Sequence, residues 1–530
     1  MSDPLVPPDN SLSPVLSPRR ICLLAIMAAV PLAVQLVTPM FGDPRSIYGN
    51  AFLSGQVGSF PGNISHFLCF RGFGYKCMIY GLYRTAELVV DSRSLFTFEL
   101  VTRSIYYSGY VLLSVWFFWL LRGRLAAFGL HWLEAMFLFL VGILATSHHI
   151  HQQPEELAML LTVGLTAFSL SNNKTLNSLS GLFVPLLLFC KTITIWPAVF
   201  PFVMILATRD RGRILRTGVS WAVFTVATAA FYIFVIPQEI VDTRIAALSQ
   251  SHFCLAPRDL QACVYKGVWA IAHIPFYLVT VDCFGYFLWR AWDERQWKEF
   301  LLALGAIAVT LPAVIVQSLH LCYHYMQLFP AAFLIALWAI RLTPDIGRHS
   351  RLLLGMAGVT LAGWLFFSTM PINSDAYLWL WTKAAWHQNA TLQKLDRQFH
   401  LSQEPEMLFL SPGDVNYVIR TMSYSRFFGP VLLQRAKYNK SIRDTELFKQ
   451  MLDDAMSYHG TYIYLSDWLP LDHLPELEAK LKNEYEPVTP KIEEFYPIPD
   501  VQLFRRKSES AIKSSGHVET DTPATATKGR

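Results

Sequence analysis

The stretch ICLLAIMAAVPLAVQLVTPMFGDPRSIYGN, residues 21–50, decides how the chain is read. Residues 21–38 carry no charge and are long enough to approach the hydrocarbon thickness of a bilayer. Asp43 then stands where such a helix leaves the membrane. Pro44 follows it, and Asp-Pro is a good helix start, with the carboxylate capping free amides and proline at the first helical position. Capping is the plain reading of Asp43. A chemical reading gains weight only if other reactive groups reach the same side.

The rest of the chain agrees with a membrane setting. Aliphatic, aromatic and Cys residues make up 53% of its 530 positions and charged residues 16%, and mean hydropathy is +0.33, too apolar for a soluble protein of this length. Further apolar runs lie near 104–121, 125–145, 157–170, 176–190, 193–206, 218–236, 268–288, 300–316, 326–340 and 352–367. With the first they give about eleven spans. Lys and Arg in short loops resist translocation, and Arg19 and Arg20 place the N-terminus in the cytoplasm. Counting onward, RGR (122–124), RDRGRILR (209–216), RAWDERQWK (290–298) and RLTPDIGRHSR (341–351) all fall on the cytoplasmic side. The end of the chain is then outside. The first run lacks a small-residue cleavage site and reads as a signal anchor. The net charge of +5 follows from the cytoplasmic clusters, and no nucleic-acid footprint is present. Cys69, Cys77, Cys254 and Cys263 fall in outside loops, where disulfides are allowed, and the short spacing predicts a Cys254–Cys263 bond. Sequons at Asn63, Asn389 and Asn439 are outside, and the one at Asn173 is inside.

The chain divides into a cytoplasmic N-terminus (1–20), a transmembrane domain (21–370) with a long first outside loop (40–102), a more polar region (371–507) and a Ser/Thr/Lys-rich disordered tail (508–530). In the polar region MLFLS (407–411), TYIYLS (461–466) and VQLFRR (501–506) read as strands, and DTELFKQMLDDAMSYHG and DHLPELEAKLKNEY have helical spacing. The expected fold is an α-helical polytopic membrane protein with a C-terminal extracytoplasmic α/β domain. The first loop is long for a connection and so reads as functional. Ile47, Ala51, Phe52 and Ser54 suit a short helix on the membrane surface, and FLCFRGFGYKCMIYGLYRTAELV is expected to form a second.

Other charged groups reach the side of Asp43. SHHIHQQPEELAML puts Glu155 and Glu156 just after Pro154 at the outer start of the fourth span, where they also suit the first turn of a helix. Lys191, in LLFCKTITIWP, sits at the next outer turn, either snorkelling to headgroups or facing an anion. HHIH (148–151) ahead of Glu155 raises a metal reading, but Pro154 breaks the helix that would align them, so no metal or cofactor is expected. Asp282, inside the eighth span, reads as a packing hydrogen bond.

In order, spacing and sidedness these motifs resemble the GT-C superfamily of membrane glycosyltransferases, which use polyprenyl-phosphate sugars, and in particular the aminoarabinose transferases and protein O-mannosyltransferases. Those proteins carry an acid directly after the first span in a pattern D-x-x-x-x-Y-x-x-x-A-x-x-x-x-x-G. Here it reads Asp43, Tyr48, Phe52 and Gly58, with Ala51 one position early. FRGFGYKCMIYGLY is similar to the following juxtamembrane helix, with Arg71-Gly72 in place of Lys-Pro-Pro. CKT at Lys191 matches a TKG turn, and CYHYMQLFPAAFLIAL (322–337) is similar to a late Y-x-L-P-x-x-P span start. The resemblance covers most of 20–370.

It implies an inverting transfer from a polyprenyl-phosphate-linked sugar donor to a lipid, glycan or protein acceptor, in a bacterial cell membrane or the endoplasmic reticulum membrane. Such a reaction passes through an oxocarbenium-like state, needs a carboxylate to take the acceptor's proton, and needs cations for the departing phosphate. The resemblance gives Asp43 the first role, with Glu155 or Glu156 orienting acceptor or sugar. Lys191, with Arg71, Lys76, Tyr75 and His324, would bind the donor. The rival readings are a polytopic transporter and a non-catalytic relative that binds lipid or a partner.

Overall fold

Where backbone amides lack water to bond they must bond each other, and the apolar runs accordingly become helices. The computed structural model describes residues 17–38, 40, 43–68, 72–126, 129–146, 152–191, 197–251, 274–293, 326–341, 346–369, 378–411, 415–427, 429–489 and 501–508, with a few single positions between 297 and 308. In chain order the helices are α1 (Pro18–Val37), α2 (Asp43–Ser54), α3 (Gly62–His66), α4 (Phe73–Glu87), α5 (Leu95–Leu120), α6 (Arg122–Ala126), α7 (Trp132–Thr146), α8 (Pro154–Leu170), α9 (Lys174–Leu179), α10 (Phe183–Cys190), α11 (Val199–Ala207), α12 (Arg211–Phe234) and α13 (Gln238–Ser251). Pro275–Asp293, Phe329–Arg341, Ile346–Thr369 and Leu378–Phe399 follow.

Among the described residues three helices are long and apolar enough to cross a membrane: α1, α12 and Ser350–Phe367. α7, the stretch Lys174–Cys190 and Met326–Arg341 are apolar but shorter. The run 176–190 is divided by a 3-10 turn, Ser180–Leu182, where the Gly181 amide donates to Ser220 Oγ at 2.9 Å. Among the described residues of the run 193–206 the α-helix is the nine-residue α11, and most of 300–316 lies outside the described residues. Burial on α12 is inverted. It buries Arg213, Thr217, Ser220 and Thr228 and turns Leu215, Val219, Val223, Val226 and Ile233 outward. A helix in water does the reverse, so the surface of α12 fits an apolar surround. Inside the bundle the aromatic rings interlock, Phe139 meeting Phe329 and Phe333 with centroids 5.5 and 5.8 Å apart.

The polar region builds a four-stranded sheet from β1 (Leu408–Leu410), β2 (Tyr462–Ser466), β3 (Tyr485–Pro487) and β4 (Val501–Arg506), in the order β1-β2-β4-β3. β1 runs parallel to β2, so a crossover must join them, and Glu446–Ser457 lies in it. The other pairs are antiparallel. Side chains alternate across the sheet. Phe409, Tyr462, Tyr464 and Leu503 pack with α2 and α4, while Leu408, Leu410, Ile463 and Leu465 pack under Glu446–Ser457 and Pro475–Glu484. Arg420, in the left-handed region at φ 60, fastens the two parts by donating to Ser92 Oγ and the Ser92 carbonyl and, at 3.3 Å, to the Tyr83 hydroxyl.

Several expectations meet the structure here. Asp282 is exposed on Pro275–Asp293 instead of bonded into the packing. Asn63 and Asn389 are buried, Asn63 donating to the Ser54 carbonyl at 3.0 Å, so neither sequon amide is presented at the surface. Cys77 is a free thiol. Cys69, Cys254 and Cys263, and with them the expected disulfide, lie outside the described residues.

Gly72, just ahead of α4, touches the end of α10 so closely that a Cβ there would collide with the carbonyl of Phe189 and come within 2.6 Å of that of Cys190. Those are backbone atoms and cannot swing aside. Gly72→Ala is expected to destabilise by about 1–3 kcal/mol. Gly81→Ala, on the same helix with open space around it, should be neutral or stabilising by up to about 1 kcal/mol. Thermal unfolding of the two purified variants side by side measures the difference.

Candidate functional site

α8 begins inside the protein. Gln152 takes a left-handed conformation at φ 57, Gln153 is extended, and Pro154 occupies the first turn with Glu155 and Glu156. Glutamine at the cap gives no side-chain hydrogen bond to the free amides, so the carboxylates lie where the helix N-terminus is most positive. Both are wholly buried. Helices of the first loop close over this start. The Tyr48 hydroxyl of α2 donates to Gln152 Oε1 at 3.2 Å, and the Tyr75 hydroxyl of α4 donates to the Gln152 carbonyl. Burial pushes the Tyr48 hydroxyl well above the ordinary tyrosine range, so it stays a donor.

Glu155 has a partner within the protein: its Oε1 lies 2.5 Å from Lys191 Nζ. Lys191 caps the C-terminal end of α10, so the cation meets the negative end of one helix while the carboxylate meets the positive end of another. The lysine side chain is 13% exposed and the carboxylate not at all. The pair therefore presents its cationic side outward. Glu155 Oε2 has no hydrogen-bond partner among the described residues. Glu156 points elsewhere, into the field of Tyr106, Tyr107 and Tyr110, and its carbonyl accepts from the Tyr110 hydroxyl at 3.3 Å.

Lys76 is one residue from Tyr75, but its side chain is fully buried in an ion triad with Glu239 and Asp242 of α13, the latter at 3.1 Å. Burial holds the Glu239 carboxyl above its ordinary 4.5, against the lowering pull of Lys76. The structure thus brings Tyr48, Tyr75, Glu155 and Lys191 together at the start of α8, and gives the charge of Lys76 to α13. Asp43 opens α2, as its sequence context predicts. The Asp43 side chain, Arg71, His324 and residues 148–151 lie outside the described residues. Among the described residues no group of three His, Cys, Asp or Glu side chains is arranged to hold a metal ion.

A second cluster, unread in the sequence, lies beside the opening of α2. Arg45 is wholly buried and donates to Gln388 Oε1, while its Nε and second Nη have no partner among the described residues. Glu99 Oε2 accepts from the Met40 amide at 2.8 Å and from Arg103 at 3.3 Å. Two buried guanidinium groups and one carboxylate therefore stand near the chain that leads into Asp43. A Glu-Arg pair at i,i+4 just ahead of an apolar run was the available signal for Glu99 and Arg103. Arg45 sits two positions after Asp43 and carries no pattern of its own.

The chain matches no known protein-family model and no curated protein.

The triad generates a prediction. Lys76→Met strands two buried carboxylates and should cost about 3–5 kcal/mol. Glu239→Gln leaves Lys76 paired with Asp242 and should be close to neutral at the acid end, where Glu239 is itself uncharged. The pH dependence has a definite sign. A carboxyl with a raised folded value keeps its proton in the fold after the unfolded chain has lost it, so this group's contribution to stability falls as pH rises from about 4.5 through the folded value. Melting temperatures of wild type and Glu239→Gln between pH 4 and 8 should therefore converge at the acid end and favour the variant at the alkaline end.

Proposed function

We propose that the chain is an integral-membrane, inverting glycosyltransferase that moves a sugar from a polyprenyl-phosphate donor to an acceptor on the extracytoplasmic or luminal side. One observation carries the reading. The helix that opens at Asp43 is docked through the Tyr48 hydroxyl, and its neighbour α4 through the Tyr75 hydroxyl, on the residue just ahead of the turn that pairs Glu155 with Lys191. The proposed base and the proposed phosphate-facing cation then belong to segments joined by direct hydrogen bonds. The proposal includes the eleven-span topology, with a cytoplasmic N-terminus and the sheet domain outside. The inverted surface of α12 supports the membrane setting.

In the reaction the acceptor oxygen forms a bond to the anomeric carbon as the bond from that carbon to the donor phosphate oxygen breaks. The acceptor's proton passes to Asp43 and the polyprenyl phosphate departs. Lys191 takes the developing phosphate charge. Glu155, buried behind the lysine, positions it. Arg71 and His324 remain proposed donor contacts, while Lys76 holds α4 on α13 and contributes through Tyr75, its neighbour on the same helix.

Two substitutions test the roles separately. Asn is a good helix cap and nearly isosteric with Asp, so Asp43→Asn should keep normal yield and melting temperature. It cannot accept the proton, and transfer should fall by about 10²–10⁴. Activity within a few fold of wild type returns Asp43 to capping.

Lys191→Met alone would strand the buried Glu155, so the informative protein is the double variant Lys191→Met/Glu155→Gln. It is expected to fold and to bind the polyprenyl-phosphate sugar at least about tenfold more weakly, since charge-assisted contacts to phosphate are the strong ones. Unchanged donor affinity makes the pair a structural bridge.

A further inference from the structure

α8 runs between two chemically different ends. Below its first turn the helix lines a narrow slot whose wall is apolar almost throughout, formed by Met159 and Val163 of α8 with Phe118, Phe139, Phe329 and Phe333. The slot reaches Leu170, the last residue of α8, and Arg124 in α6. Leu170 and Arg124 also line a second cavity, of mixed polar and apolar lining, which opens at that end between Arg122, Ser171, Asn172 and Asn173. The two spaces adjoin through their shared residues. Together they make one amphipathic site, apolar within and cationic at its mouth.

We infer that this site binds an anionic glycerophospholipid, with one acyl chain in the slot and the phosphate at Arg122 and Arg124. A hydrocarbon chain fills an apolar cavity without leaving polar groups unpaired, whereas water would have nothing to bond there. Among the described residues no carboxylate lines either cavity, and the guanidinium groups at the mouth suit a phosphate, which they grip as a fork. Arg122 is held ready. Its guanidinium lies 4.1 Å from the centroid of the Trp119 ring and donates to the Trp119 carbonyl at 3.0 Å. Trp119 is 45% exposed, the placement of an indole at the level of lipid headgroups. Away from that mouth the described lining of the slot holds no cation, and Lys191, near the start of α8, is not part of it. Glu155 and Leu170 are fifteen residues apart on one helix, roughly 22 Å at the helical rise. The headgroup is therefore remote from the site proposed for transfer. The inference does not rest on that chemistry, only on the chain lying in a bilayer.

The experiment uses the full chain, stripped of lipid in detergent and offered phosphatidylglycerol or phosphatidylcholine with identical acyl chains, with retained lipid counted by native mass spectrometry. Wild type should retain phosphatidylglycerol at least about fivefold over phosphatidylcholine. Arg122→Gln/Arg124→Gln should bring that ratio close to one, and Val163→Phe, which narrows the slot, should lower retention of both lipids. Wild type also carries an independent readout: phosphatidylglycerol with a photoreactive acyl chain should label peptides containing 118–125 and 159–170. Labelling confined to other segments, or no preference for the anionic lipid, overturns the inference. Displacement of the bound phosphatidylglycerol by a long-chain polyprenyl phosphate also overturns it, since the slot would then belong to a donor.

Discussion

A helix that starts inside a protein cannot leave its first amides and first-turn charges to water, and α8 starts in that way. Everything around it follows from that need. Glu155 requires a cation, which the end of α10 supplies as Lys191. Gln152 requires donors, which the first loop supplies, so α2 and α4 are drawn onto the bundle through Tyr48 and Tyr75. For α4 to come so near, the chain ahead of it must pass against the carbonyls ending α10, and only glycine fits there, at Gly72. The sheet then covers the outer faces of α2 and α4 with Phe409, Tyr464 and Leu503. A polar accounting problem of a few residues thus fixes the position of a loop and of a domain.

Local pattern was legible and distant pairing was not. Asp-Pro at 43 and Pro154 each mark a helix start because proline and the capping carboxylate act within one turn. Strands near 408, 462 and 501 follow from alternation, and the helices between them from apolar spacing. β3 was missed because three residues, Tyr-Glu-Pro, are too few to show a period. The partners of Lys76 lie more than 160 positions away, and nothing local in GYKCMIY tells a headgroup contact from a buried triad. The break between α9 and α10 depends on Ser220 of another helix, so the apolar run at 176–190 read as one continuous span.

The distribution of buried charge bears on the rival reading. A transporter concentrates ionisable groups and broken helices near the bilayer midplane, where the substrate must pass. Here the buried charged groups Arg45, Glu99, Arg103, Lys76, Glu239, Asp242, Glu155 and Glu156 belong to the two loop segments, to the first residues of α5 and to the first turn of α8, while Glu134 and Arg213 are buried in the first turns of α7 and α12. The middle of the bundle, among the described residues, is a continuous apolar core of Phe, Leu, Ile and Ala side chains. Among the described residues such a core offers no polar path for a solute. It leaves the charged groups at the ends of the helices, which agrees better with the proposed transfer at a surface than with passage.

Burial also divides the labour among the acids in the proposed reaction. A general base needs a lone pair within reach of the acceptor's proton. Glu155 gives one oxygen to Lys191, and both it and Glu156 are closed off from solvent. An acceptor could approach either only by displacing the tyrosines or the lysine around it. Tyr48, Tyr75, Tyr110 and Lys191 are each bonded to the start of α8, so opening the cluster would break several hydrogen bonds at once in a low-dielectric setting, where each is costly to lose. The first-turn acids are thereby better suited to hold Lys191 and the helix start in place than to move a proton. In the proposed reaction proton transfer is left to an acid on the loop side, the part given to the residue that opens α2.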